Sequence, residues 1–153
     1  MKRIILIVAA IVCLAGCSDR MPVGHEIASS VYLLHSGEHY VTVTSETECI
    51  TVWVCKAGYD TKSYSFDVVI DEEDAVRYSM QYKKTYQMLP GNAFSLSTPA
   101  VTLNSGEYKA PVRIDIDPAC IAKNVTFILP VRVDCSDPDS FKGDYIEYLL
   151  IKK

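Results

Sequence analysis

Histidine is the scarcest chemistry-bearing residue in this chain of 153: there are three, His25, His35 and His39, and none follows His39. A Ser-His-Asp or Cys-His arrangement needs an imidazole held beside its nucleophile, so such catalysis would have to draw on one short stretch. The six cysteines show no C-x-x-C pair and no mixed Cys/His spacing, which leaves no usual zinc framework. There is no polybasic run, and acids outnumber bases 19 to 15. That balance argues against a nucleic-acid partner, whose affinity comes from basic side chains displacing counterions. Long apolar runs are missing too: the longest, Ile4 to Ala15, has 12 residues, where a membrane span needs roughly 20. No cofactor is expected.

Carboxylates are plentiful, yet a glycosidase needs two of them fixed about 5 to 9 Å apart across a cleft. The acids here mostly alternate outward along strands or cluster in "DEED", residues 71–74. The chain is therefore expected not to be an enzyme.

At the N-terminus, Lys2 and Arg3 precede the apolar run, and Leu14, Ala15, Gly16 and Cys17 close it. This is the pattern of a secretory signal, and its ending resembles a bacterial lipobox. Residues 1–16 are expected to be a lipoprotein signal peptide, Cys17 the lipidation site, and residues 17–28 a tether to the membrane, since several acyl chains anchor durably where one binds reversibly. Ser18 after the lipidated position favours the outer membrane, on its surface or its periplasmic face. Without Lys2 and Arg3 the mature chain carries 13 basic and 19 acidic residues, a formal charge of -6.

Cys49, Cys55, Cys120 and Cys135 remain in the mature body. An envelope compartment permits disulfides. Cys49 and Cys55 cannot join each other along one strand, where six residues hold them roughly 20 Å apart. Both surviving pairings link that strand to the Cys120 and Cys135 region, and four buried thiols are the alternative.

From residue 29 to 153 the apolar period is two almost everywhere, the segment "DEEDAVRYSMQY" excepted. In "SYSFDVVI" Tyr64, Phe66, Val68 and Ile70 share a face; in "PVRIDID" Val112, Ile114 and Ile116 do; in "VTFILPVRVDC" Val125, Phe127, Leu129, Val131, Val133 and Cys135 do. These patterns predict strands with one side in a core and one in water. Further strands are expected at 30–34, 39–44, 49–57, 85–89, 93–97, 100–104 and 144–151. Pro130 cannot donate a ladder hydrogen bond, so its strand is expected at an edge or bulged. One helix is expected over about 72–81 with Asp71 as N-cap, and a helical turn at Pro118. About eight or nine strands with one short helix make an all-β, immunoglobulin-like sandwich.

The stretch "HSGEH", His35 to His39, spells the H-x-x-E-H order of one class of zinc peptidases. Two histidines so spaced meet one metal on a helix, but strand-like flanks and Gly37 favour a hairpin turn at Ser36 and Gly37 with solvated ends. No metal site is expected there. "DCSDPD" could place Asp134, Asp137 and Asp139 around calcium, yet it lacks the glycine and distal glutamate of an EF-hand loop and reads as a polar turn. "NVT" at Asn124 matches a glycosylation acceptor without meaning in a bacterial lipoprotein. Trp53 has parity opposite to Ile50, Val52 and Val54; if those line the core, it points outward and offers a ring for stacking on sugars.

Three segments carry a resemblance: the acid-led helix ending near Tyr82 with "TYQMLPGNAFSL", residues 85–96; "AVTLNSGEYKAPVRIDI", residues 100–116; and "FILPVRVD", residues 127–134. With Leu89-Pro90 and Leu129-Pro130 at this distance, the chain resembles a Bacteroidales domain-of-unknown-function family, number 1735. That family stands beside family 18 glycoside hydrolase or lectin-like domains in surface lipoproteins. The resemblance implies an immunoglobulin-type sandwich without established catalytic residues, and as partners a glycan or the outer-membrane proteins of glycan uptake. The alternative is a structural or adhesin-like module that binds proteins by strand addition at an unpaired edge over 125–135.

Overall fold

Among the described residues, alternating side chains fold into ten strands, which close into two sheets facing each other. The computed structural model describes residues 30–47, 49–58, 62–135 and 145–153. Cys17, the expected signal peptide 1–16, the expected tether 17–28, Asp137 and Asp139 lie outside the described residues. Strands β1 (Ser30–Leu33), β3 (Cys49–Ala57), β8 (Lys109–Ile116) and β6 (Phe94–Leu96) form the first sheet, in the order β1-β3-β8-β6 and antiparallel throughout. The second has the order β2-β10-β9-β4-β7, from β2 (Gly37–Thr42), β10 (Ile146–Lys152), β9 (Thr126–Cys135), β4 (Tyr64–Val69) and β7 (Ala100–Leu103). In it β2 runs parallel to β10, and the two-residue strand β5 (Gln87–Met88) runs parallel to β9.

The inward faces meet in one core. Ile50, Val52 and Val54 of β3 and Val112, Ile114 and Ile116 of β8 face Phe66, Val68, Phe127, Leu129, Val131, Val133, Leu149 and Ile151. Each such burial removes apolar surface from water and stabilises by about 1.5–3 kcal/mol.

The helix, α1 (Glu72–Tyr82), begins where expected and ends one residue later. The Asp71 carboxylate accepts from the Glu73 N–H at 3.0 Å. Lys83, at φ 56, closes the helix by donating its N–H to the Ser79 carbonyl at 3.1 Å. The turn at Pro118 is a 3-10 turn, Pro118–Cys120, capped by Asp117.

Four expectations require correction. Strand β9 does not have one face in water: α1 lies over the outer face of its sheet, where Tyr78 packs with Ile128 of β9 and with Ile146, Tyr148 and Leu150 of β10 in a second core. Pro130 is not at an edge. It sits in an interior strand opposite Tyr148 of β10, and on the other flank it falls between β5, which pairs at 127–128, and β4, which pairs from 132. Its missing N–H is tolerated where neither β4 nor β5 pairs with it. The interior position of β9 also removes the edge expected over 125–135 for strand addition. Finally, "HSGEH" is not a hairpin: β1 and β2 belong to different sheets, so Leu34 to Ser36 carry the chain across the end of the sandwich.

Cys49 on β3 and Cys120 carry free thiols, as does Cys55. Burial pushes the Cys55 thiol above its ordinary range, against the nearby Lys109.

Candidate functional site

Two aromatic surfaces stand on opposite outer faces. The inward placement of Ile50, Val52 and Val54 turns Trp53 outward on β3, as its parity requires. Trp53 lies opposite Pro111 on β8, with the Lys109 ammonium 4.9 Å from its ring centroid. The ring is half-buried, and one face is shared with a cation. Thr51 and Arg113 form the next pair along this face, followed by Cys49 and Asp115.

The second surface was not expected from the sequence. Between α1, the crossing turn and the start of β10 lies a groove of about 380 Å³ lined by Ser36, Gly37, Arg77, Gln81, Tyr82, Tyr145, Ile146 and Tyr148. Arg77 and Gln81 are placed on one helix face by their spacing of four. Ile146 and Tyr148 come from alternate positions of β10. Tyr78 is fully buried beside the groove and orients its rings: it stacks on Tyr82 at 4.7 Å and meets Tyr148 edge-on at 4.9 Å. Gly37 has φ +98, and a Cβ there would come within 3.4 Å of the Tyr82 hydroxyl. Glycine is therefore the residue that fits the rim.

Polar bonds fix this side. The Tyr78 hydroxyl donates to Glu38 at 2.6 Å, and the Lys84 ammonium and the Tyr40 hydroxyl donate to the same carboxylate at 3.0 and 3.2 Å. The Tyr78 and Lys84 bonds hold the Glu38 carboxyl below its ordinary range. Asp74, buried on α1, accepts from Arg132 of β9 at 3.1 Å, with Arg77 farther away at 3.7 Å. Asp74 thus fastens the helix to the sheet, a role beyond the helix-end charge effect that explains "DEED". Asp134 is bonded by Arg132 as well.

The "HSGEH" ends are not simply solvated. Glu38 serves Tyr78, and His39 Nδ1 lies 2.6 Å from Glu147, a fully buried carboxyl whose Oε2 has no hydrogen-bond partner. Burial raises the Glu147 carboxyl above the usual range, against the bond to His39. The His35 and His39 rings lie 4.9 Å apart. Among the described residues no group of three or more His, Cys, Asp or Glu is arranged to hold a metal ion, and no helix is long and apolar enough to cross a membrane.

A family model described as a "-like, N-terminal domain" matches residues 27–140, and the chain belongs to that family, as the Leu-Pro segments suggest. No curated protein matches the chain. Among solved structures, a candidate carbohydrate binding protein from Bacteroides ovatus shares the fold at 21% identity and TM-score 0.65, over 81% of this chain and 37% of its own. EndoBT-3987 of Bacteroides thetaiotamicron, solved with a Man5GlcNAc product, does so at 18% and 0.61, over 79% of this chain and 30% of its own. A multidomain Bacteroides ovatus protein including DUF1735 does so at 12% and 0.60, over 80% and 44%. The chain spans less than half the length of each of these proteins.

Proposed function

We propose that this protein is a lipid-anchored, non-catalytic sandwich module of the outer membrane that binds glycan within a surface glycan-uptake system. The observation that carries the reading is the groove. Tyr82 and Tyr145 offer apolar ring surface, and Gln81, Arg77 and Ser36 offer polar groups for hydroxyls, the combination that holds sugars. Its volume of about 380 Å³ lies in the range of small-ligand sites. The candidate carbohydrate binding relative and the endoglycosidase, which share this fold, support a glycan-related role. Attachment through Cys17 is supported by the order Leu14, Ala15, Gly16, Cys17.

A second surface for the same function is Trp53, whose outward position beside Pro111 supports stacking on a sugar ring. Glycan-array binding of the full chain in detergent, repeated with Tyr82→Ala and with Trp53→Ala, tests both. Loss of hits in Tyr82→Ala assigns the groove, and loss in Trp53→Ala assigns the other face. An array without hits, together with envelope proteins captured by cross-linking in cells, would transfer the assignment to a structural module. Palmitate labelling that persists in Cys17→Ala would remove the lipid anchor from the proposal.

A further inference from the structure

The two histidines of "HSGEH" are chemistry that neither the groove nor the Trp53 face uses. β2 and β10 pair with Gly37 against Glu147 and His39 against Leu149, so His39 and Glu147 stand on one face of their sheet, the face that Leu149 and Ile151 turn to the main core. There the His39 ring meets Glu147 through Nδ1 at 2.6 Å. Glu147 is fully buried, and its Oε2 has no hydrogen-bond partner. A neutral imidazole that donates from Nδ1 to a carboxylate carries no proton on Nε2, and that nitrogen is then ready to bind a metal. Metal-bound histidines almost always have such a carboxylate or carbonyl behind them. The His39 side chain is 32% exposed, so the ring edge away from buried Glu147 reaches water. On the crossing turn His35 is exposed, and its ring centroid lies 4.9 Å from that of His39, the planes tilted by 46°. With metal–nitrogen bonds of about 2.0–2.1 Å, two imidazoles on one tetrahedral ion have centroids roughly 5 Å apart.

We propose that His35 and His39 bind one divalent cation of the zinc type, with Glu147 as the positioning carboxylate behind His39. Imidazole nitrogens select zinc, copper or nickel, whereas magnesium and calcium take oxygen ligands. No cluster of three His, Cys, Asp or Glu ligands stands among the described residues, so water completes the shell and the ion is exchangeable, unlike one closed in by four side chains. The motif's own glutamate takes no part. Glu38 has the opposite strand parity to His39, and its carboxylate accepts from Tyr78 and Lys84 on the helix side. The site therefore lacks the catalytic glutamate of a zinc peptidase. A dication beyond the imidazole also favours the ionised form of Glu147, whose charge is otherwise costly in the core. The bound ion ties the crossing turn to β2 where the chain passes from one sheet to the other.

The test is calorimetric titration of the full chain in detergent, its accessible thiols alkylated, with zinc chloride and in parallel with magnesium chloride. One zinc per chain is expected, with a raised melting temperature and no comparable effect of magnesium. Glu147→Gln is expected to weaken zinc binding about 10- to 100-fold. His35→Asn and His39→Asn each remove a ligand and weaken it further. His35 is exposed, so His35→Asn keeps the parent's melting temperature without metal and reads the site apart from folding. Absence of zinc binding, zinc binding unchanged in His35→Asn, or magnesium bound as tightly as zinc overturns the site. Zinc binding lost in both histidine variants but unchanged in Glu147→Gln overturns the role of Glu147. Each of these outcomes leaves the glycan reading untouched, because no residue of this site lines the groove.

Discussion

The two outer faces of the sandwich began from the same alternation and ended differently. On the β1-β3-β8-β6 sheet the outward residues Thr51, Trp53, Arg113 and Asp115 remain partly or fully exposed. On the other sheet the outward positions of β9 and β10 are Ile128, Ile146, Tyr148 and Leu150, all buried beneath Tyr78. A sheet covered on both faces can hold polar chemistry in fixed geometry at the border of its cover, and the groove forms at that border. The bare sheet offers a flat surface with a single ring on it. The groove stands where the helix, the crossing turn and the start of β10 meet.

Removing the cover should have the largest effect. Tyr78→Ala empties the middle of the second core and strips the hydroxyl from Glu38. A stability loss of about 3–5 kcal/mol is expected from large-to-small core changes, read by chemical denaturation, with binding at the groove lost as well. A loss below about 1 kcal/mol would mean that the helix is not a structural layer.

Arg132→Ala comes next. It leaves Asp74 buried with only the distant Arg77. Breaking a buried pair costs about 3–5 kcal/mol, and partial exposure of Arg132 reduces this to roughly 2–3 kcal/mol. Arg132→Ala combined with Asp74→Asn should recover part of the loss in a double-mutant cycle.

On the bare face, Trp53→Ala should cost about 1–2 kcal/mol, because only part of the ring leaves water. A loss as large as that of Tyr78→Ala would erase the contrast between the faces.

The smallest effect is a pH dependence with opposite signs at two carboxyls. Glu38 is held below its ordinary range by Tyr78 and Lys84, so its contribution is present above the normal carboxylate range and is lost as pH falls through the lowered value. Glu147 is raised by burial, so its contribution is present in acid and is lost as pH rises through the raised value. Melting curves of Glu38→Gln should show a flatter acid limb, and those of Glu147→Gln a flatter limb toward neutral pH. An acid limb unchanged in Glu38→Gln would remove that carboxylate from the ties of the helix.

Much of this was legible in the residues. Parity along β3, β4 and β8 gave their buried faces, the cap at Asp71 gave the helix start, and the Leu-Pro segments gave the family. The helix cover was legible only in part. Ile128 falls on the outward side of β9, and "IEYLLI" on β10 is apolar on both parities apart from Glu147, the mark of a strand buried on both faces. Periodicity alone does not say what lies on the second face. The groove was not legible, because Ser36 and Gly37, Arg77 and Gln81, and Tyr145 to Tyr148 lie far apart in the chain and meet only through the pairing of β2 with β10 and the packing of α1 over that sheet. The bond between His39 and Glu147 was hidden for the same reason: a histidine beside a turn gives no sign of a carboxyl contributed from the far end of the chain.

That union of β2 and β10 also dictates when the domain can mature. β2 enters the second sheet only by lying alongside β10, Gly37 against Glu147 and Thr42 against Lys152. During synthesis, neither β2 nor the β10 flank of β9 gains its neighbour until β10 has emerged. Closure of so long a loop is slow, and the waiting strands would be prone to mispair. The core that β2 and β9 line is therefore completed only once β10 has joined them.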